Sequence, residues 1–440
     1  MSETVAGAEA GLPFPFGDWG FDLAPQYARV RAARAPACPV RTVNGDPAWL
    51  ITRYDLARRV LADPRLSLSA ALRPEAPRQE PLPIRLPEGT GDIVTTLNKA
   101  GLHHVVADAL GPRAVKRHQE WINEQARHLL DALAGPPADL RAGLALRLPF
   151  ALTRRLLLGD LHQAELVRLN QWADAILSWG PGLSRYATAD LAAAQEHIYR
   201  FFLHRLPDLA AGSGDHLLKR IAAPGVLDQR DLAVFAASMF LAGYRTSASF
   251  LAGALVTLLR HPDALRAVRD DPALVPATAQ ELLRYTPMAT GGVKRLAMRE
   301  VDLDGLVIKA GDLVLVSLEA ANHDPAAFPD PDTFTPGRDA SGHLGFGHGS
   351  HFCPGNRLAR MQIEAAVAAL AGHSPTPRLA VPAHDLPWMH GAGFRTPQTI
   401  PVTWPTATRP NTTAQSPPPA GGNRPPDQPP GRPRPNGPDR

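Results

Sequence analysis

Cysteine is almost absent from this chain, which holds Cys38 and Cys353 and no other thiol in 440 residues. Two thiols so far apart give no disulfide framework and suit a reducing compartment, so a cytoplasmic protein is expected. Lysine is scarce too, standing only at positions 99, 116, 219, 294 and 309, and the basic residues are overwhelmingly Arg. The net charge is only +4, and much of that excess falls in residues 405–440, which hold five Arg against two Asp. So small an excess makes no case for nucleic acid as a partner. No apolar run is long enough to span a bilayer: the most hydrophobic stretch, residues 232–259, is broken near its centre by Arg245, Thr246 and Ser247. The first twenty residues carry neither a basic flank nor a continuous apolar segment, so no signal peptide is expected. No internal repeat is apparent.

What is present is the material of a large core, with 44% hydrophobic and 20% charged residues. Residues 405–440 are the exception, with 12 Pro in 36 residues, a composition that buries nothing and is expected to be disordered. Residues 1–20 are expected to form a loosely attached arm. Between these ends, two short strands flank an Asn-Gly-Asp-Pro turn at residues 44–47, and a helix follows from Tyr54. Residues 66–95, rich in Pro and Arg, are expected to be an irregular loop. Residues 139–212 are patterned as helices, in which Trp172, Trp179 and Tyr186 suit core or lid positions.

The most specific stretch, residues 345–360, reads GFGHGSHFCPGNRLAR. Gly347 and Gly349 lack Cβ atoms, so the backbone can turn sharply and approach a flat ligand closely. Beyond Pro354 and Gly355, the residues Leu358, Met361, Ile363, Ala366 and Leu370 recur at helical spacing. Cys353 therefore sits at a helix N-terminus, where the dipole and free amides favour a thiolate. A thiolate held this way suits axial ligation of haem iron. On the residues alone, three other readings stay open. They are a buried structural thiol, a zinc site drawing on His343, His348 and His351, and a nucleophile with its base elsewhere.

A second stretch, residues 231–261, is apolar nearly all round and, at about 1.5 Å per residue, some 45 Å long as a helix. Its middle reads Ala242-Gly243-Tyr244-Arg245-Thr246-Ser247. The small residues let a flat or small ligand lie against the helix. Thr246 can bond back to the Ala242 carbonyl and distort the helix there. Further on, Glu281 and Arg284 stand three apart on one helix face.

FGHGSHFCPGNRLAR resembles the haem-binding loop of the cytochrome P450 superfamily, Phe-Gly-x-Gly-x-His-x-Cys-x-Gly followed by Leu-Ala-Arg. Phe346, Gly347, Gly349, His351, Cys353, Gly355, Leu358, Ala359 and Arg360 fill every specified position. Residues 242–247 are similar to the family's oxygen-binding groove, Glu281 and Arg284 to its Glu-x-x-Arg core pair, and Arg295 to its propionate-binding strand arginine. The resemblance covers about residues 20–404. It implies a single catalytic unit over residues 21–404 with a mainly α, prism-shaped fold and a smaller β-rich part.

The resemblance further implies haem b (iron protoporphyrin IX), with Cys353 as the axial ligand and His351, Arg295, Phe346, Gly347 and Gly355 around the cofactor. Lys99 and His103 stand where the family usually has a propionate-binding His and Arg. Thr246, Ala242 and Gly243 would form the catalytic groove. Met239, Met288, Ala289, Thr290 and Phe394, the last beside Gly393 in a terminal hairpin, would face the substrate. The implied reaction is a monooxygenation using dioxygen and two electrons. The electrons would come from a ferredoxin and its NAD(P)H-dependent reductase. The substrate would be an apolar small molecule of specialised metabolism, free or carrier-bound. Arg113, Lys116, Arg357 and Arg360 suit either a ferredoxin surface or a plain solvated one.

One position departs from the pattern: the family's acid before the threonine is Arg245, which stays protonated and cannot cycle as a proton donor. A water–Thr246 relay is expected in its place. Oxidative C–C or C–O coupling without oxygen insertion, and a non-catalytic haem-binding helper, are the alternatives.

Overall fold

A computed structural model describes residues 11–17, 20–79, 93–177, 188–389 and 394–405. Trp179, Tyr186, Gly393 and residues 406–440 lie outside these, as do residues 80–92 of the expected loop. Chain contacts form one compact unit over Met1–Trp404; the second, Pro405–Arg440, is the tail expected to be disordered, of which Pro405 alone is described.

Helices dominate, and their ends follow local chemistry. Pro112 opens the helix Pro112–Asp131 at its first turn, where a missing N–H costs nothing. Asp228 caps Gln229–Met239 by accepting from the Asp231 amide. The long apolar stretch forms two helices, Gln229–Met239 and Thr246–Arg260, joined through a π-helical segment, Phe240–Arg245. Twelve consecutive residues from Ala248 to Leu259 are buried, so this helix is central, as its all-round apolarity requires. Around it the largest core cluster gathers Phe202, Phe235, Leu255, Leu282 and Leu370 from five helices.

The β-rich part is a six-stranded sheet in the order Leu12–Pro13, Cys38–Arg41, Pro47–Ile51, Leu313–Val316, Val293–Ala297, Leu66–Ser67. Cys38–Arg41 and Pro47–Ile51 are antiparallel across the expected turn, with Arg41 opposite Pro47. The centre strand Leu313–Val316 is buried on both faces and reads Leu-Val-Leu-Val without alternation.

Two expectations need correction. The stretch expected as a loose arm is docked in part, since Leu12–Pro13 pair with Val40–Arg41 and the fully buried Phe14 packs edge-on against Phe16, which in turn meets Tyr27. The segment expected to be irregular from residue 66 begins with a strand paired to Val293–Ala297 and a short helix, Leu68–Ala71. A pair of residues in a sheet edge carries no periodicity that sequence inspection can detect.

Candidate active site

The loop before Cys353 is built by backbone constraints. Gly347 and Gly349 adopt φ of 75° and 74°, values that favour glycine. A Cβ at Gly349 would stand 2.6 Å from the Leu61 carbonyl oxygen, so the loop lies directly on the helix Tyr54–Ala62. The Gly347 amide donates to the Leu344 carbonyl and the Cys353 amide to the Phe346 carbonyl, at 2.8 and 3.0 Å. Asn356 Nδ2 donates to the Cys353 carbonyl at 2.8 Å, tying the thiol-bearing residue to the helix Asn356–Gly372.

His343, considered above as a zinc ligand, is committed elsewhere. Its Nδ1 accepts from the Gly345 amide and its Nε2 donates to Gln280 Oε1, both at 2.9 Å. Burial pushes the Cys353 thiol up, with the Gly355 amide pulling the other way. Desolvation thus outweighs the helix end expected to favour a thiolate, and coordination to a metal is what would deprotonate the sulfur.

Cys353 lies on the wall of a cavity of about 430 Å³, within the usual range for ligand sites of ~300–1,000 Å³. Ala242, Gly243 and Thr246 line it from the π-helical junction, and Met239, Met288 and Ala289 add apolar surface. Phe346, Gly347, His351, Gly355 and Arg295 are on the wall too. Thr246 Oγ donates to the Ala242 carbonyl at 2.6 Å and Ser247 Oγ to that of Gly243 at 2.9 Å. These are the back-bonds that accompany the helix distortion expected from the sequence. A Cβ at Gly243 would meet Leu157 Cδ1 at 2.8 Å, so the glycine lets that neighbouring helix approach.

Arg295 is 1% exposed, and burial pushes its pKa down. Among the described residues its guanidinium donates to the neighbouring Lys294 carbonyl at 2.9 Å and pairs with no carboxylate. His351 is close enough for Arg295 to push its pKa down as well, after burial. A buried guanidinium without a counter-ion, on the same cavity as a thiol, fits a ligand that brings its own carboxylates and a metal.

Four expected residues are not part of this wall. Lys99 and His103 are exposed and reach no part of the cavity, although four residues of separation suggested one helical face. They lie on separate short helices, Ile93–Lys99 and His103–Ala109, with a turn between them. Thr290 is buried but off the wall, and Phe394 is half-buried off it as well.

The Glu281–Arg284 pair is present, fully buried and bidentate at 2.7 and 2.8 Å. Sequence inspection did not foresee its third member, Arg338, whose Nε donates to Glu281 Oε1 at 3.0 Å from 57 residues away. Nor did it find Glu319, Asn322 or Gln362 on the cavity wall, since no local spacing relates them to Cys353.

Arg245 is buried and turned away from the cavity. Its guanidinium donates to Ser249 Oγ at 2.7 Å and is ion-paired with Asp174 of the helix Gln163–Leu177. Its neighbour Tyr244 accepts from Asn170 Nδ2 of the same helix, and burial pushes the phenol up to about 12.

A cytochrome P450 family model matches residues 214–371. The chain is 34% identical over 399 residues to Nocardicin C N-oxygenase of Nocardia uniformis subsp. tsuyamanensis, covering 89% of this chain and 98% of the relative. It is also 34% identical over 421 residues to Cytochrome P450 monooxygenase PikC of Streptomyces venezuelae, covering 92% and 97%. The crystal structure of HinD with NMFT and NO superposes with a TM-score of 0.80 at 33% identity, covering 90% of this chain and 100% of that one. Residues 345–360, the buried Glu281–Arg284 pair and these whole-length matches agree: the chain belongs to the cytochrome P450 family.

Proposed function

We propose that this P450 monooxygenase binds haem b through Cys353 and oxidises an apolar small molecule of specialised metabolism. The observation that supports this most is the joint placement of Cys353, Thr246 and the uncompensated Arg295 on one cavity. When bound, the haem supplies reductive activation of dioxygen and oxidation of a C–H bond. Every other contribution comes from the chain. Arg295 and His351 receive the propionates, which give the buried guanidinium the counter-ion it lacks. Phe346, Gly347 and Gly355 leave room for a flat ligand over the sulfur, and Met239, Met288 and Ala289 hold an apolar substrate.

Thr246, with its proton committed to the Ala242 carbonyl, offers Oγ lone pairs that orient a water in the groove beside Gly243. Lys99 and His103 take no part in this reading. Electrons arrive from a ferredoxin and its NAD(P)H-dependent reductase, the basic residues Arg113, Lys116, Arg357 and Arg360 offering an acidic partner its footing. Residues 21–404 form the catalytic unit, in the cytoplasm. Among the described residues no helix is long and apolar enough to cross a membrane.

Relatives named for N-oxygenation and monooxygenation favour oxygen insertion over the coupling and helper alternatives. The spectrum of the reduced protein with carbon monoxide tests the ligand. A red-shifted thiolate band that disappears in Cys353→Ser supports this reading, and its absence from the unaltered chain defeats it. Isotopically labelled dioxygen then reports whether oxygen enters the product.

A further inference from the structure

We propose that Thr286 is a positioning residue for substrate specificity: its side chain, anchored to the central helix, fixes where Met288 and Ala289 stand and so which length of apolar molecule fits. Residues 287–292 lie between the helix Val275–Tyr285 and the strand Val293–Ala297 and belong to neither, so no helix or sheet ladder sets their place. Thr286, Met288 and Ala289 line the same cavity as Cys353 and Thr246.

The Thr286 side chain is held twice. Thr257, on the helix Thr246–Arg260, donates to the Gly253 carbonyl at 3.2 Å. With that proton committed, Thr257 Oγ accepts from Thr286 Oγ at 3.1 Å. One turn away, Gly253 makes room for the Thr286 methyl, since a Cβ there would stand 3.1 Å from Thr286 Cγ2. Thr286 ends its helix in an extended conformation, with φ −78° and ψ 114°, as a following proline favours. Beyond Pro287, the Met288 carbonyl accepts from the Arg395 amide at 2.8 Å. Arg395 is itself buried and donates through Nη1 to the carbonyls of Gly20 and Asp22.

The stretch that carries Met288 is therefore pinned to the central helix at one side and to the terminal hairpin at the other. A wall held this way selects by length, because a close-packed surface that cannot yield refuses each methylene beyond the one that fits. Thr257 is not on the wall, so its bond to Thr286 reaches a ligand only through the position of the segment. This rests on reading the cavity as the haem and substrate site of a monooxygenase.

The test uses the haem-loaded full chain and 1-alkylimidazoles from methyl to decyl. The imidazole head shifts the haem absorption band, and the tail probes the wall. Affinity should rise with tail length and then break where the tail meets Met288. Thr286→Val keeps both branches of the side chain and loses the hydroxyl, so the break should soften. The tails beyond it should gain about fivefold relative to 1-methylimidazole, a difference of ~1 kcal/mol. Thr257→Val, altered off the wall, should give the same profile, whereas Thr286→Ser should keep the break.

Gly253→Ala pushes Thr286 aside with both hydroxyls intact and should move the break to a different length, so the test stands even where a valine variant fails to load haem. A break unchanged in these variants, whatever stability they lose in denaturant, makes the threonine pair a matter of folding alone and overturns the proposal. So does a change in Thr286→Val that is absent from Thr257→Val, since the Thr286 hydroxyl would then touch the ligand itself. A smooth rise without a break in the unaltered chain overturns it as well. Failure of 1-methylimidazole to shift the band of the unaltered chain is a separate outcome, which defeats the haem reading and this inference with it.

Discussion

Arg245, at the position where the family carries an acid, is ion-paired with Asp174 and has its guanidinium outside the cavity. The pair joins the π-helical segment Phe240–Arg245 to the helix Gln163–Leu177, with the Arg245 side chain 3% exposed and that of Asp174 22%. Arg245 also contacts the Met389 sulfur at 3.8 Å. A charge placed this way holds two helices in register and moves no proton.

Removing one partner of a buried pair leaves the other charge uncompensated, which typically costs ~3–5 kcal/mol. Asp174 is partly open to water, so Asp174→Asn should cost about 2–3 kcal/mol by denaturant unfolding. The pH dependence of turnover should keep its shape in Arg245→Met, because no titrating group is lost. A new or missing inflection in that profile would show that Arg245 takes part in proton transfer.

Thr246→Ala removes the one hydroxyl that both lines the groove and back-bonds to Ala242. Positioned proton transfer is worth ~10²–10⁴-fold, so product formed per NAD(P)H consumed should fall by about 10²-fold, with hydrogen peroxide rising to match. Thr246→Ser should restore most of the yield. Unchanged coupling in the alanine variant would remove Thr246 from the relay.

Glu281 receives Arg284 through two hydrogen bonds and Arg338 through one, and Arg284 additionally bonds the carbonyls of Asn322 and Pro331 at 2.9 and 2.8 Å. Arg284→Ala should therefore cost ~3–5 kcal/mol. Arg338→Ala should cost about 1.5–3 kcal/mol, the usual range for a hydrogen bond to a charged group. Arg284→Lys should recover little, because an ammonium cannot reproduce the bidentate fork. Chemical denaturation of the three variants orders them, and an Arg338 loss exceeding that of Arg284 would contradict the geometry.

Acid should unfold the protein through two buried histidines. Burial pushes His323 and His343 down to about 4. Protonating His343 at Nδ1 would also evict the Gly345 amide from its acceptor. The unfolded chain takes up these protons near its ordinary value of ~6.5 while the folded chain refuses them, so stability falls as pH drops from about 6.5 to 4. Each group contributes about 3 kcal/mol across that window. Unfolding free energies measured from neutral pH downward should show this slope, and His343→Leu should flatten it. A slope unchanged in that variant would show that His343 titrates normally.

Local chemistry carried much of this molecule into view. The positive φ of Gly347 and Gly349 is a local feature of the loop, and the Thr246 back-bond to Ala242 spans one helical turn, as does the Glu281–Arg284 pair. Such contacts depend on spacing along the chain, which is why they could be read there. Lys99 and His103 illustrate the limit, since their spacing was right but the turn between the two short helices separates them from any shared face.

The sequence by itself determined the family, the thiol proposed as the haem ligand, the helical frame and the distortion at residues 240–246, each legible from residues close together in the chain. Only the tertiary structure decided that Arg245 faces Asp174, that Arg338 joins Glu281, and that Tyr27 donates to the buried Glu319. Those pairings bridge between 57 and 292 residues of chain. A charge at such a distance finds its partner only when packing brings the two elements together, and no spacing in the chain encodes which partner that will be.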